Sequence, residues 1–225
     1  MKRFAVIGLG QFGKKLAIDL ATSGAEVIAI DKGRDEVESV SEEVSCAVRL
    51  DSTNEEAMRA QGVDRVDVAV VSIGQGHGQG FEDAILTVVN LKQMGVPVIY
   101  ARAEERVAGE VFSKIGATEV IYPEFESAER WAFKLIAPHI EDRLDFAPGY
   151  SVASVKAPAV FNGKTVKVLQ LRQKYNVNLV GIKPNDVKDG EEQKINVPMP
   201  DTVIHEDDIL ILAGADTDLA KLPQE

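Results

Sequence analysis

The feature that most constrains the fold is a sixfold alternation of short apolar runs with helical stretches between residues 3 and 123. Several helical stretches end on a glycine, where a helix C-cap falls. Parallel strands joined by helical crossovers form sheets that are covered on both faces. The pattern predicts an α/β domain with a doubly wound, Rossmann-type parallel sheet, and its predicted strands are 3–9, 26–31, 45–51, 66–73, 97–103 and 118–123.

The pattern changes after residue 123. Residues 126–144 predict a helix that is interrupted at Pro138 and followed by a second short helical turn, and the sequence DFAPG is typical of a boundary. Shorter strands and polar turns follow, at the size of a minimal α+β domain. We therefore predict a Rossmann nucleotide-binding domain over 1–125, a helical crossover over 126–145 and a small α+β domain over 146–225.

Charge and composition exclude several classes of protein. The net charge is −11, most of it within residues 1–145, and no basic stripe is present, so nucleic acid is not expected as a partner. No apolar run is long enough to cross a bilayer and no signal-peptide pattern begins the sequence, so we expect a cytoplasmic protein. The single cysteine, Cys46, suits a reducing compartment and is expected in the core.

The first strand runs into the glycine motif GLGQFG. Gly8 permits a tight turn, Gly10 lets a pyrophosphate approach the backbone, and Gly13 allows close packing of helix on strand. The start of the helix offers free N–H groups and positive dipole to phosphates. The motif therefore predicts nucleotide binding, and the alternative is a glycine turn between packed elements.

Polar residues follow the next two strands. Asp31, eighteen residues after Gly13, is placed to accept hydrogen bonds from ribose hydroxyls and disfavours a ribose 2′-phosphate. Adenine is expected near Asp51 and Ser52, although this stretch can also serve to cap the next helix. The glycine-rich residues 74–80 either close over phosphates or form a surface loop.

No catalytic or metal-binding pattern accompanies this motif. The three histidines, His77, His139 and His205, lack metal-ligand spacing, and there is no Ser-His-Asp order, nucleophile elbow or pair of carboxylates with a plausible substrate cleft. We expect no enzyme activity and no metal site. An NAD-dependent oxidoreductase is the competing class, but residues 146–225 show no candidate proton-transfer group.

Two helical stretches carry more apolar side chains than a helix that packs on one face only would bury. Residues 84–94 include Leu86 and Val89, and residues 128–140 include Trp131 and Phe133. A helix that is apolar on more than one side must bury more than one side. Each stretch alone fits a single-chain core, but together they indicate subunit contacts, so we expect an oligomer.

The chain resembles the RCK family of cytosolic regulators of potassium conductance, in particular the Trk/Ktr-type regulatory subunits. The resemblance covers nearly the whole chain and rests on FAVIGLGQFG, AID, VVSIG, KIGATEVIYPE, LQLRQKYNVNLVGIK and IHEDDILILAG. It implies an N-lobe that binds ATP, ADP or NAD(H), a helical crossover that pairs subunits, and a C-lobe. It also implies rings, commonly octameric, that dock on a membrane-embedded potassium channel or transporter at the inner face of the membrane.

The resemblance assigns site residues by position. Glycines hold the phosphates, polar residues after strands two and three lie on the ribose and adenine sides, and residues after strand four form the far wall of the ligand crevice. A basic and an acidic residue lie near the terminal phosphate. These cofactor-binding residues are Gly8, Gly10, Gln11, Phe12, Gly13, Asp31, Lys32, Asp51, Ser52, Ile73, Gly74, Arg102 and Glu124. Gln11 replaces a frequent arginine and Gly33 a frequent asparagine, and the loop at 75–80 is longer than usual. The choice between ATP, ADP and NAD(H) therefore stays open.

Three functional hypotheses follow. The first is a nucleotide-sensing gating subunit, and the second is the oxidoreductase. The third is a stand-alone sensor whose C-lobe binds a small effector such as a cyclic dinucleotide near Arg172 and residues 196–201.

Overall fold

The computed structural model describes residues 1–74, 80–137, 139–184 and 195–223. Most of the predicted glycine-rich loop, including His77, lies outside these ranges. The chain divides into two units, Met1–Glu126 and Ser127–Glu225.

The first unit is built on a parallel sheet of six strands in the order β3-β2-β1-β4-β5-β6. This confirms the predicted α/β class and doubly wound sheet. Chain order reverses between β1 and β4, which creates the switch point where such sheets bind ligands. The strands are β1 Arg3–Ile7, β2 Glu26–Asp31, β3 Cys46–Arg49, β4 Val68–Val71, β5 Val98–Arg102 and β6 Glu119–Ile121.

Helices connect these strands and cover both faces of the sheet. Along β1 the side chains alternate between two apolar clusters, with Ala5 and Ile7 in one and Val6 in the other, and all three are buried. Burial on both faces explains why the central strands read as continuous apolar runs. The connecting helices are α1 Gln11–Thr22, α2 Arg34–Glu38, α3 Glu55–Ala60, α4 Gly80–Met94 and α5 Arg106–Ile115, and a further helix, α6 Pro123–Ile136, follows β6 and includes the boundary between the two units.

The second unit is a four-stranded antiparallel sheet in the order β7-β8-β10-β9 with short helices. Its core contains Phe161, Leu210 and Leu212, all almost fully buried. This is the small α+β architecture that the sequence predicted. The elements are β7 Ile140–Ala147, β8 Tyr150–Lys156, α7 Val166–Leu169, α8 Leu171–Tyr175, β9 Asn178–Lys183, β10 Ile209–Ala215 and α9 Asp216–Leu219.

The prediction of a helical turn after Pro138 is wrong. Helix α6 ends at Ile136, because Pro138 disfavours helical backbone at the residue before it, Ala137. Residues 140–147 then form β7, which pairs with β8 as a hairpin. The sequence DFAPG supplies the hairpin turn, with Gly149 at φ +74°, and so lies within the second sheet. The helical part of the predicted crossover 126–145 stops at residue 136.

The expected burial of Cys46 is also wrong. Cys46 is exposed. It begins β3, the strand at one edge of the six-stranded sheet, where an apolar run is covered less completely than in β1.

The close packing of α1 on β1 generates a stability prediction. A Cβ atom on Gly13 would overlap the carbonyl oxygen of Gly8, whereas a Cβ on Gly10 meets no atom within 4 Å. Gly13→Ala should lower the free energy of unfolding by about 2–3 kcal/mol, as overpacking against backbone does. Gly10→Ala should cost less than about 1 kcal/mol, the difference between the two residues at an N-cap. Urea unfolding followed by circular dichroism measures both, and equal stability of the two variants would contradict this packing.

Candidate nucleotide-binding site

A cleft of about 270 Å³ opens at the carboxyl ends of β1, β2, β3 and β4, at the switch point of the sheet. Its lining combines the glycine turn with the residues that follow the next three strands. The predicted site residues that line it are Gly8, Gly10, Asp31, Lys32, Asp51, Ser52, Ile73 and Gly74.

The glycine turn lies directly against the end of β4. Gly8 has φ +93°, and a Cβ there would come within 2.7 Å of the backbone of Ser72 and Ile73. Its N–H donates to the carbonyl oxygen of Ile30 at 2.8 Å, which fixes the turn to β2. Gly10 is the N-cap of α1, and no described side chain caps this helix. The amides of the first turn therefore have no helical acceptors and form a positive end that suits a phosphate.

Asp31 has a structural role that sequence reasoning missed. One carboxylate oxygen accepts the N–H of Leu9 at 2.7 Å, and the other accepts the N–H of Gly33 at 2.8 Å. Asp31 thus ties the glycine turn to the turn after β2. Each carboxylate oxygen has a second acceptor position, so hydrogen bonds from ribose hydroxyls are compatible with this arrangement.

The turn after β3 forms the predicted adenine side of the cleft. One oxygen of Asp51 accepts the hydroxyl of Thr53 at 2.7 Å and its N–H at 2.9 Å. These hydrogen bonds outweigh desolvation and lower the pKa of Asp51 from its usual value. The next helix is capped not by this stretch but by the residue after it, Asn54, whose side-chain oxygen accepts the N–H of Ala57 at 3.0 Å.

Helix α4 contributes residues that the sequence did not indicate as part of the site. Asp83, in its first turn, lines the cleft and binds the ammonium of Lys32 at 2.8 Å. This hydrogen bond and the charge of Asp83 raise the pKa of Lys32 above its usual value. The sequence did contain a signal for Asp83, because helices that follow parallel strands begin at the edge of the sheet that holds the ligand, and Asp83 lies in the first turn of such a helix.

Ser72 also lines the cleft and was missed. Its side chain is buried, and its hydroxyl has no hydrogen-bond partner among the described residues. A buried hydroxyl is normally paired, so Ser72 has an unmet hydrogen-bonding capacity beside the cleft. Its position immediately after the apolar β4 was the signal in the sequence.

Other predicted site residues lie outside the cleft lining. Gln11, Phe12 and Gly13 form the first turn of α1. Arg102 and Glu124 bind each other at 2.5 Å, where β5 ends and α6 begins. Burial opposes ionisation of Glu124, but the hydrogen bond and charge of Arg102 outweigh it and lower the pKa of Glu124 from its usual value. A role for these five residues in ligand binding stays a prediction.

Among the described residues, no group of three or more histidine, cysteine, aspartate or glutamate side chains is arranged to hold a metal ion. Within the same part of the chain, every helix is too short or too polar to cross a membrane.

Comparison with protein families now identifies the chain's relatives. The TrkA-N domain model matches residues 4–123, and the TrkA-C domain model matches residues 151–223. The Ktr system potassium uptake protein C of Bacillus subtilis is 35% identical over 220 residues, which cover 98% of this chain and 95% of that protein. The chain belongs to the TrkA-N/TrkA-C family that includes the Ktr potassium uptake proteins.

Further comparisons agree with this family. The Ktr system potassium uptake protein A of Bacillus subtilis is 28% identical over all of this TrkA-type chain and 96% of its own length. The GsuK RCK domain has the same fold with a TM-score of 0.60 at 17% identity, over 98% of this chain and 46% of that structure. A GsuK channel bound to NAD has a TM-score of 0.58 at 17% identity, over 97% of this chain and 38% of that structure. The resemblance to RCK-type proteins found in the sequence is thereby confirmed.

Proposed function

We propose that this chain is a nucleotide-sensing regulatory subunit of a membrane-embedded potassium channel or transporter, and that it is not an enzyme. The observation that carries the proposal is the cleft itself, where an uncapped helix start and a tight glycine turn meet Asp31 at the switch point. The relatives matched over nearly their whole lengths are named potassium uptake proteins, which supports the regulatory role.

The ligand of the proposed site is an adenine nucleotide, ATP or ADP, or the dinucleotide NAD(H). The residues fit such a group, because Gly8 and Gly13 leave no room for a Cβ while Gly10 leaves open space for a phosphate. The first-turn amides of α1 hold the phosphates, Asp31 holds the ribose, and Asp51 with Ser52 lies on the adenine side. The GsuK channel crystallised with NAD supports the dinucleotide as one candidate.

Gating requires that the ligand bind two conformations of the assembly with different affinities. We propose that subunits pair through α6 and assemble into a ring, octameric as in the resembling family. Exposed apolar side chains support these contacts, since Leu86 on α4 is 50% exposed and Trp131 and Leu135 on α6 are 52% and 76% exposed. The ring lies in the cytoplasm and meets the inner face of the membrane only through its transport partner.

The two alternative hypotheses, an oxidoreductase and a sensor with a C-lobe effector site, differ in the support that they receive. The names of the relatives favour transport regulation over an oxidoreductase. A C-lobe effector is favoured by one observation, a cleft of about 390 Å³ in the second unit lined by Lys167, Gln170 and Arg172 among others. Two cationic side chains at one cleft suit a small anionic effector, so we include such a site in the proposal.

The proposed ligand site predicts a selective loss of binding in one variant. Gly10→Ala places a methyl group where the phosphates approach the backbone, without overlapping any protein atom. Calorimetric titration with ATP, ADP and NADH should show an affinity at least about tenfold lower than that of the wild type, which corresponds to about 1.4 kcal/mol. Gly24→Ala, outside the cleft at a glycine with φ +86°, strains the backbone and should lower stability without lowering affinity, which separates loss of binding from general destabilisation. Unchanged binding by Gly10→Ala would remove the glycine turn from the site.

The proposed ring predicts an assembly defect. Leu86→Glu puts a charge into an apolar subunit contact, and an unpaired buried charge is strongly destabilising to that contact. Light scattering should show a ring for the wild type and dimers, held through α6, for the variant. Gln93→Glu introduces the same side chain on an exposed position of α4 and should leave the ring intact. A monomeric wild type, or a Leu86→Glu variant of wild-type mass, would contradict the ring.

A further inference from the structure

Two buried hydroxyl groups meet beside the adenine side of the cleft. Ser52 is 7% exposed and Thr87 is fully buried, and their hydroxyl oxygens lie 2.7 Å apart. Ser52 lines the cleft in the turn after β3, whereas Thr87 lies in the second turn of α4. The contact joins the wall of the cleft to a helix 35 residues away in the chain.

The direction of this hydrogen bond follows from a second contact. The hydroxyl of Thr87 also lies 2.7 Å from the backbone carbonyl oxygen of Asp83, one turn earlier in α4. A carbonyl oxygen only accepts, so the single hydrogen of Thr87 goes to Asp83. The Ser52–Thr87 contact is then a hydrogen bond only when Ser52 donates. With its one hydrogen committed, the Ser52 hydroxyl offers only its lone pairs to a ligand.

The polar side chains next to Ser52 are likewise either hydrogen-bond acceptors or donors that are already engaged. The ionised carboxylate of Asp51 only accepts, and the hydroxyl and N–H of Thr53 are already donated to it. The side-chain amide of Asn90 donates to the carbonyl oxygen of Thr53 at 2.9 Å. Lys32 is a donor on this side, and its ammonium is bound to the carboxylate of Asp83. The side chains of Asp51 and Ser52 therefore present hydrogen-bond acceptors to the base.

Purine bases differ in the group that meets such acceptors. The exocyclic amino group of adenine donates hydrogen bonds, whereas guanine and hypoxanthine carry an acceptor oxygen at the same ring position. We propose that Thr87 is a positioning residue that fixes the Ser52 hydroxyl as an acceptor and thereby makes the cleft select adenine over 6-oxopurines. This inference rests on the proposed nucleotide site, and it adds a residue that acts on the ligand through Ser52.

The test compares ADP with inosine diphosphate, which has an oxygen in place of the adenine amino group. Calorimetry on the wild-type chain should give at least about tenfold tighter binding of ADP, the usual effect of leaving one hydrogen-bonding group unpaired. Thr87→Val has nearly the same shape but cannot accept the hydrogen of Ser52, so Ser52 becomes free to donate and the two affinities should become nearly equal. Thr87→Ser keeps the hydroxyl and should keep the preference for ADP.

Each alternative result has a definite meaning. An unchanged preference in Thr87→Val, or equal binding of the two nucleotides by the wild type, overturns the role of Thr87 and leaves the nucleotide site standing. If the wild type binds neither ADP, ATP, NADH nor inosine diphosphate, the nucleotide site and this inference both fail. If Thr87→Val does not fold, Ser52→Ala replaces it. That variant should also lose the preference, and a preference retained in Ser52→Ala overturns the inference.

Discussion

The close approach of α1 to the end of β1 is the contact on which the site depends. Gly13 lies against the carbonyl of Gly8, and Gly8 in turn lies against the backbone at the end of β4. These approaches leave no room for a side chain, and they bring the uncapped start of α1 into the switch point between β1 and β4. Asp31 then holds the turn from the other side through the N–H of Leu9. The same packing that builds the domain therefore places Gly10, the N-cap of α1, in the lining of the cleft.

Helix α4 connects the cleft with the outside of the subunit. Asp83 and Thr87 face the cleft side of the helix through their contacts with Lys32 and Ser52, while Leu86 is half exposed. In the proposed ring, a ligand that shifts these cleft contacts also shifts the helix surface that meets a neighbouring subunit. Packed interfaces tend to switch between discrete arrangements, so a small displacement at the ligand is sufficient to bias the assembly.

Much of this architecture was readable from the sequence because it depends on local pattern. Six apolar runs separated by helical stretches specify a parallel sheet, and the spacing from Gly8 to Asp31 specifies where its cleft lies. The predictions from the sequence were wrong where contacts between distant segments determine the local structure. Residues 140–147 form a strand only because β8 pairs with them, and Cys46 is exposed only because β3 is at an edge. The hydroxyl pair of Ser52 and Thr87 depends on the fold bringing two distant segments together, which single-sequence periodicity does not reveal.

The central claim is that nucleotide phosphates bind the amides at the start of α1. Hydrogen–deuterium exchange measured with and without saturating ADP tests it most directly, because a bound phosphate must slow exchange of the amides it engages. The account predicts the strongest new protection in peptides covering residues 8–13, with further protection around residues 51–53. Protection confined to residues 166–179, in the cleft of the second unit, or no protection at all, would contradict it.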